Sequence, residues 1–232
     1  MPCNLKSYLN ISHEEKFLIT ILFTEKEVNI EFDNIDYEKL IRITSSHLLL
    51  PSLYKNLERK GCLHKIPKEL KNYLSKIYNI NKNRNKCLLS EAEKISKIMD
   101  DNHIKYKFLK GTELITKRFY KDIGERMVGD IDFLVSPKDI LKVTRVLEKE
   151  KYFNNYKFKI FNSRHLPRFI NNKKIFAIEP HINVLSLKNK LIDEKELINK
   201  DCYSTNDLHL INILNYQIND YGNFKASYSL KT

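Results

Sequence analysis

The sequence predicts an α+β protein, with a small mixed sheet and flanking helices preceded by a helical subdomain. Up to about residue 101, apolar residues recur at the three-and-four spacing typical of amphipathic helices. From residue 104 onward, short apolar and β-prone runs alternate with helical segments. The 232 residues are 42% hydrophobic and 11% aromatic, which is enough for a packed core and excludes disorder as the main state.

Residues 1–101 are predicted to form the helical subdomain. The segments Glu14–Phe23 and Tyr37–Arg59 have helical spacing, and Pro51 interrupts the second because proline breaks a helix interior. A long amphipathic helix is expected after Pro67, a residue favoured in the first turn. Its apolar positions are Leu70, Leu74, Ile77, Leu88, Ile95 and Ile98. This part of the chain carries little chemistry.

Residues 102–232 are predicted to contain the sheet. Strands are expected at 104–109, 131–135, 152–161 and 174–178. Helices are expected after the glycine at 111, from Pro137 to about Lys151, and at 208–218. This order of elements implies one small mixed sheet with helices packed on it.

Composition limits the partners of the protein. The net charge of +12 raises the prospect of a nucleic-acid partner, but only eight of the 41 basic residues are arginines. Arginine is preferred for bidentate phosphate recognition, so a solvated lysine-rich surface is favoured over an RNA-binding face. The chain has no run of about 20 apolar residues, and its amino terminus lacks the apolar stretch of a signal peptide. We therefore predict a cytoplasmic protein with no membrane partner.

Cys3, Cys62, Cys87 and Cys202 are far apart in the sequence and include no CxxC pair. A zinc site or a disulfide framework would normally require closer, paired spacing. We therefore predict reduced, mostly buried thiols without a disulfide partner.

The most informative segment is Gly129-Asp130-Ile131-Asp132, which places two carboxylates two positions apart in an apolar strand. Side chains two apart on a strand point to the same face, so Asp130 and Asp132 converge while Ile131 points away. Their mutual repulsion favours a divalent cation between them, and Mg²⁺ suits such a site when substrate phosphates complete its coordination. The alternative is a solvated strand end with both carboxylates in water.

A second motif, Lys110-Gly111-Thr112, lies between a predicted strand and a predicted helix. Such a turn exposes backbone N–H groups and the positive end of the helix, which bind phosphates. Gly111 would let a phosphate approach the backbone, and the Thr112 hydroxyl would donate a hydrogen bond. A plain helix cap is an equally good interpretation of Thr112.

A third motif, Glu179-Pro180-His181, ends an apolar run. An acid at this position could complete the metal site or deprotonate an incoming hydroxyl. The alternative for Glu179 is an exposed acid before a proline kink. His181 could line the same pocket, although a structural, hydrogen-bonded histidine is the favoured interpretation.

These motifs, in this order, resemble the uncharacterised bacterial nucleotidyltransferases of the polymerase-beta superfamily. The resemblance rests on the three motifs and on residues 120–135, which include Arg126. It covers most of the chain from about residue 36, including the stretch 165–167 and the helix 208–219. It implies a polymerase-beta-like nucleotidyltransferase core.

The resemblance also implies roles for individual residues. Three carboxylates would be catalytic and hold two Mg²⁺ ions, with Mn²⁺ as the alternative ion: Asp130, Asp132 and Glu179. Four residues would bind the triphosphate of a nucleoside triphosphate such as ATP: Lys110, Gly111, Thr112 and Arg126. The implied reaction transfers a nucleoside monophosphate to a hydroxyl of an unidentified acceptor, whether RNA, protein or small molecule, and releases pyrophosphate.

The chain departs from the family pattern in several places. Gly111-Thr112 replaces the more usual Gly-Ser, the interval to Asp130 is longer than in most of the superfamily, and Pro180 follows the third carboxylate. The chain ends at Thr232 where family members continue, so we expect a shortened carboxyl terminus. The alternative function is a non-catalytic nucleotide- or RNA-binding protein, or a toxin–antitoxin component. The complete carboxylate set argues against it, and a purely structural helical scaffold would leave that set unexplained.

Overall fold

A computed structural model of the protein describes residues 11–24, 30–154, 165–184 and 194–199, together with Asp207 and Leu210. Within these residues the fold is α+β, as the sequence predicts, with seven α-helices and one three-stranded mixed sheet. The described residues divide into two units, one up to Asn81 and one from Lys82 onward. The division falls inside the long helix, and the domain boundary at residue 101 stays a prediction.

The first unit contains three helices and the start of a fourth. Ser12 and Asp36 cap the first two helices, since the side chain of each accepts a backbone N–H from the first turn. Pro51 lies in the first turn of the third helix, where its missing N–H costs no hydrogen bond. The interruption predicted near Pro51 is therefore a boundary between two helices. The three helices are α1 (His13–Phe23), α2 (Tyr37–Ser46) and α3 (Leu50–Arg59).

The fourth helix, α4, runs over Lys68–Asp101 and begins directly after Pro67, as the sequence predicts. Its apolar stripe faces inward: Ile77 and Ile98 are half-buried, and the other four predicted positions are buried. Those four are Leu70, Leu74, Leu88 and Ile95. The helix contributes its first part to the first unit and its second part to the second.

The sheet of the second unit has the order β1-β2-β3. The central strand β2 pairs antiparallel with β1 and parallel with β3. All five residues of β2 are buried, as expected for an apolar strand covered on both faces. The strands are β1 (Tyr106–Phe108), β2 (Ile131–Val135) and β3 (Ile178–His181).

Three helices belong to the same unit. The helix α5 (Lys110–Thr116) follows β1, and α6 (Ile140–Lys149) follows β2 after a 3₁₀ turn at Pro137–Asp139. The end of α6 near Lys151 agrees with the sequence. Leu141 fits the helical apolar spacing of this segment, but its side chain is exposed. The short helix α7 (Glu194–Asn199) was not predicted.

In five helices, the second residue after the end of the helix has a φ in the left-handed region. After α4, His103 has a φ of 51°, and the N–H of Ile104 donates to the carbonyl of Met99 at 2.9 Å, which is the Schellman arrangement. Only α3 uses glycine here; the other four use Leu48, His103, Arg118 and Lys151. Glycine is the residue that usually indicates such a helix end in a sequence. The four helix ends without glycine are therefore difficult to predict from the sequence.

The third strand lies later in the chain than the sequence predicts. A strand was expected at 174–178, but β3 shares only Ile178 with that segment. The predicted strand ended two residues before Pro180. Pro180 nevertheless pairs in register with Phe133, and its carbonyl accepts the N–H of Leu166 at 2.9 Å. The strand continues through Pro180 because it is paired on both sides.

Some predictions fall largely outside the described residues. Of the strand expected at 152–161, only residues up to 154 are described, and Phe153 forms an isolated antiparallel bridge with Ile170. Of the helix expected at 208–218, only Leu210 is described.

Two of the four cysteines are described, and both are free thiols. Cys62 is buried and Cys87 is exposed, so one of the two described thiols agrees with the prediction of mostly buried thiols. Cys87 lies on α4 beside Leu88, and the inward face of the helix passes through the leucine instead. None of the described helices is both long and apolar enough to cross a membrane.

Gly111 lies inside the first turn of α5 and is buried. A Cβ built at this position would come within 2.9 Å of Cγ2 of Val128. Its φ is not in the left-handed region, so glycine is required here for close packing and not for a special backbone conformation. The turn predicted around Gly111 is therefore already helix.

We predict that Gly111→Ala lowers the free energy of unfolding by about 1–3 kcal/mol, the usual cost of overpacking a core. Gly129→Ala is the matched control, because a Cβ at Gly129 meets no atom within 4 Å. Urea denaturation of both variants measures the difference. Adding Val128→Ala to Gly111→Ala should restore part of the loss, and equal stability of the two single variants would contradict this account.

Candidate active site

The parallel pairing of β2 and β3 gathers the acidic residues. Asp132 lies opposite Glu179 in the register, so their side chains point to the same face of the sheet. His181 is two positions from Glu179 in β3 and shares that face, and Asp130, one residue before β2 begins, is two positions from Asp132. The sheet thus brings the three carboxylates predicted from the sequence to one place. The roles predicted for them stay predictions.

Asp132 is almost completely buried, with 5% of its surface exposed. Its Oδ1 accepts from the Lys110 ammonium at 2.6 Å and from His181 Nε2 at 2.8 Å. A buried carboxylate without such partners would carry a large desolvation cost. Asp132 is therefore not the solvated strand-end residue of the alternative interpretation.

Glu179 is equally buried and lies among cationic and polar side chains. Its Oε2 lies 3.3 Å from His181 Nε2 and 3.5 Å from Lys110 Nζ, and its Oε1 accepts from Arg168 Nε at 3.3 Å. Burial alone would raise the pKa of Glu179, but the hydrogen bond with His181 and the charge of Lys110 outweigh it and hold that pKa far below its usual range. Glu179 is therefore ionised at neutral pH.

Asp130 lies at the rim of the cluster. Its Oδ2 pairs with Nη2 of Arg168 at 2.7 Å. Burial raises the pKa of Asp130, the Arg168 charge opposes this increase, and the neighbouring charges of Asp132 and Glu179 add to it. The pKa values of Asp130 and Glu179 are thus shifted in opposite directions within one cluster.

His181 is completely buried, and its Nδ1 has no hydrogen-bond partner among the described residues. We assign its proton to Nε2, because that tautomer donates to Asp132 and leaves a lone pair, not an N–H, unpaired. This arrangement agrees with the favoured interpretation of His181 as a structural, hydrogen-bonded histidine.

Lys110 reaches the carboxylates from a strained backbone position. Its φ is 52°, which lies in the left-handed region. Of the described non-glycine residues with such a φ, Lys110 alone begins a helix. Such a conformation costs about 1–3 kcal/mol and persists where the surroundings impose it, often at functional sites. The ion pair with Asp132 is one interaction that accompanies this strain.

Thr112 has no exposed surface, and its hydroxyl forms hydrogen bonds with the backbone at the start of β2. The hydroxyl donates to the carbonyl of Asp130 at 3.0 Å and accepts the N–H of Asp132 at 3.4 Å. It does not cap α5, because the residue at the cap position is Leu109. The side chain positions the backbone of both aspartates, and the triphosphate contact expected of Thr112 stays a prediction.

The contacts described for Arg126 involve another part of the unit. Its backbone carbonyl accepts from Asn85 Nδ2 at 2.7 Å. Its charge opposes the increase that burial causes in the pKa of Tyr120. The phosphate-binding role expected of Arg126 stays a prediction.

Two residues of the cluster were not selected from the sequence. Arg168 bridges Asp130 and Glu179, and the His165 ring lies 5.0 Å from that of His181. Both belong to the segment 165–169, which flanks β3 through antiparallel bridges at His165 and Phe169. No local pattern marks these residues, since their position depends on pairing with a strand more than ten residues later. The only hint was that 165–167 belonged to the family resemblance.

The donor groups suit a divalent cation. One atom each from Asp132, Glu179 and His181 lies within 4.8 Å of the other two, and His181 would offer a ligand there with its proton on Nδ1 instead of Nε2. Carboxylate oxygens are preferred ligands of Mg²⁺, and Asp130 adds a third carboxylate at the rim. Three carboxylates face two permanent cations, Lys110 and Arg168, so the cluster retains negative charge to offer to a metal.

The chain belongs to a family described as uncharacterised nucleotidyltransferase, whose family model matches residues 33–207. The match includes every candidate site residue from Lys110 to Glu179 and confirms the resemblance seen in the motifs. No curated protein matches the chain. No solved structure matches it either.

We predict that Thr112→Val destabilises the protein by about 1–3 kcal/mol, because it leaves a buried backbone N–H and carbonyl without their partner. Thr112→Ser keeps the hydroxyl and should recover most of the stability. Denaturant unfolding of the two variants tests this. A valine variant as stable as the serine variant would show that the hydroxyl does not tie α5 to β2.

Proposed function

We propose that the protein is a metal-dependent nucleotidyltransferase. It transfers a nucleoside monophosphate from a nucleoside triphosphate to a hydroxyl acceptor and releases pyrophosphate. The observation that carries the proposal is the convergence of Asp130, Asp132 and Glu179 on one face of two paired strands. Membership of the nucleotidyltransferase family supports the reaction class.

The three carboxylates are proposed to hold two Mg²⁺ ions, with Mn²⁺ as an alternative. Metal bound there would neutralise phosphate charge and polarise the phosphorus that is attacked. Burial of Asp132 and Glu179 supports the proposal, because a low-dielectric site strengthens each charge interaction.

Glu179 is better suited to holding a cation than to accepting a proton. The strength of a general base falls with its pKa, and the pKa of Glu179 lies far below its usual range. We therefore propose a metal-holding role for Glu179. The hypothesis that it deprotonates the acceptor hydroxyl has less support.

Four residues are proposed to bind the triphosphate, with unequal support. Lys110 has the most, because its ammonium already lies at the carboxylates, where phosphate charge would be neutralised. Gly111 follows it at the start of α5. Thr112 contributes by positioning Asp130 and Asp132, and Arg126 by its place in the motif. ATP is one candidate triphosphate, and the acceptor is an RNA, a protein or a small molecule.

We predict that at least one nucleoside triphosphate binds the wild-type protein with Mg²⁺ and that the Asp130→Asn/Asp132→Asn double variant loses this binding. The physical reason is the loss of two of the three carboxylates that would hold the metal. Isothermal titration of each of the four triphosphates, with Mg²⁺ and with EDTA, measures it. Asp139→Asn removes a carboxylate from the turn after β2 and should bind like wild type.

Binding that is unaffected by EDTA or by the double variant would overturn the metal-carboxylate proposal. Failure of folded wild-type protein to bind any of the four triphosphates would do the same. Far-ultraviolet circular dichroism of each variant shows whether loss of binding reflects loss of the fold.

A transfer assay separates catalysis from binding alone. We predict that triphosphate labelled at the α-phosphate transfers its label to an acceptor present in an RNA, protein or metabolite fraction, with release of pyrophosphate. Asp132→Asn should reduce transfer by at least about a hundredfold, the size of effect expected from losing one preorganised electrostatic group. Tight, metal-dependent binding without transfer in any fraction would favour the non-catalytic alternative, including a toxin–antitoxin component.

A further inference from the structure

Arg168 contacts two of the three carboxylates that are proposed to hold the metal, Asp130 and Glu179. Its guanidinium joins two carboxylates from different strands, with Nη2 at 2.7 Å from Asp130 Oδ2 and Nε at 3.3 Å from Glu179 Oε1. Lys110 lies farther from Glu179, at 3.5 Å, than from Asp132, at 2.6 Å. No contact between Lys110 and Asp130 is described. Arg168 is thus the principal counter-ion of Asp130 and Glu179.

The backbone next to Arg168 is fixed, whereas its side chain is not enclosed. Leu166 N–H donates to the carbonyl of Pro180, and Phe169 exchanges two backbone hydrogen bonds with Ile178. The side chains of Leu166 and Phe169 are buried, but 60% of the Arg168 side chain is exposed. The guanidinium can therefore leave the carboxylates without any change in the sheet.

Electrostatics favours such a departure when a metal arrives. A divalent cation on the oxygens of Asp130 and Glu179 replaces the single charge of the guanidinium and repels it. The guanidinium is the exposed partner of these ion pairs, so water can solvate it once it leaves the carboxylates. Once released, the guanidinium has five donors in a planar fork, the geometry suited to bidentate contact with phosphate.

We propose that Arg168 is a counter-ion that the metal displaces and that then binds the triphosphate. In the metal-free protein it neutralises Asp130 and Glu179; with metal and nucleotide present it contacts phosphate oxygens. The inference rests on the proposed function and adds a residue to it. It requires that metal and triphosphate each increase the affinity of the protein for the other by the same factor.

The test uses Mn²⁺ as the probe, titrated alone and with a non-hydrolysable nucleoside triphosphate analogue. Free Mn²⁺ is measured by its electron paramagnetic resonance signal. The matched control for Arg168→Gln is Arg145→Gln, because Arg145 is an exposed arginine on α6 and its removal changes the net charge equally. Arg168→Lys is a second variant, which keeps the charge but loses the planar fork.

Without nucleotide, Arg168→Gln should bind Mn²⁺ at least roughly fivefold more tightly than Arg145→Gln, the lower end of typical coupling between sites. The increase in Mn²⁺ affinity caused by the analogue should be smaller in Arg168→Gln than in the control. The lysine charge in Arg168→Lys should still weaken Mn²⁺ binding relative to Arg168→Gln. The increase in Mn²⁺ affinity caused by the analogue should be smaller in Arg168→Lys than in Arg145→Gln.

Equal Mn²⁺ affinities of Arg168→Gln and Arg145→Gln would overturn the displacement while leaving the proposed function intact, since both would bind metal. An undiminished effect of the analogue in Arg168→Gln would overturn the phosphate contact. Absence of Mn²⁺ binding in wild type, with and without the analogue, would overturn this inference and the proposed function together.

Discussion

The arrangement of the second unit depends on one constraint: three carboxylates share one face of two paired strands and must be neutralised. Asp132 and Glu179 are buried opposite each other, where their mutual repulsion is not screened by water. Lys110 forms an ion pair with Asp132, and Arg168 forms ion pairs with Asp130 and Glu179. Lys110 does so from a left-handed backbone position that would otherwise be unfavourable.

The helix after β1 is held against the acidic strand by steric fit and by hydrogen bonds. Gly111 allows the first turn of α5 to approach Val128, and the Thr112 hydroxyl joins that turn to the backbone of Asp130 and Asp132. In the structure, the motif that was interpreted from the sequence as a phosphate-binding turn fixes the aspartates. This packing and hydrogen bonding explain why small and hydroxyl side chains occur there: larger or apolar ones would collide or leave backbone groups unsatisfied.

Much of the fold could be predicted from periodicity. The helices α1 to α4, the strand β2 and the end of α6 lie where apolar spacing and proline positions place them. The convergence of Asp130 with Asp132 follows from the two-residue repeat of a strand. The position of β3 could not be predicted in this way, because its pairing through Pro180 is supported by neighbours on both sides.

The sequence by itself determined the α+β class, the family and the acidic residues, because these depend on local spacing and on motifs within short stretches. Tertiary structure alone decided which cations meet those acids. Arg168 reaches Asp130 and Glu179 only because the segment 165–169 pairs antiparallel with β3. Charge neutralisation in a buried site depends on distances in space, and the order of residues along the chain does not specify those distances.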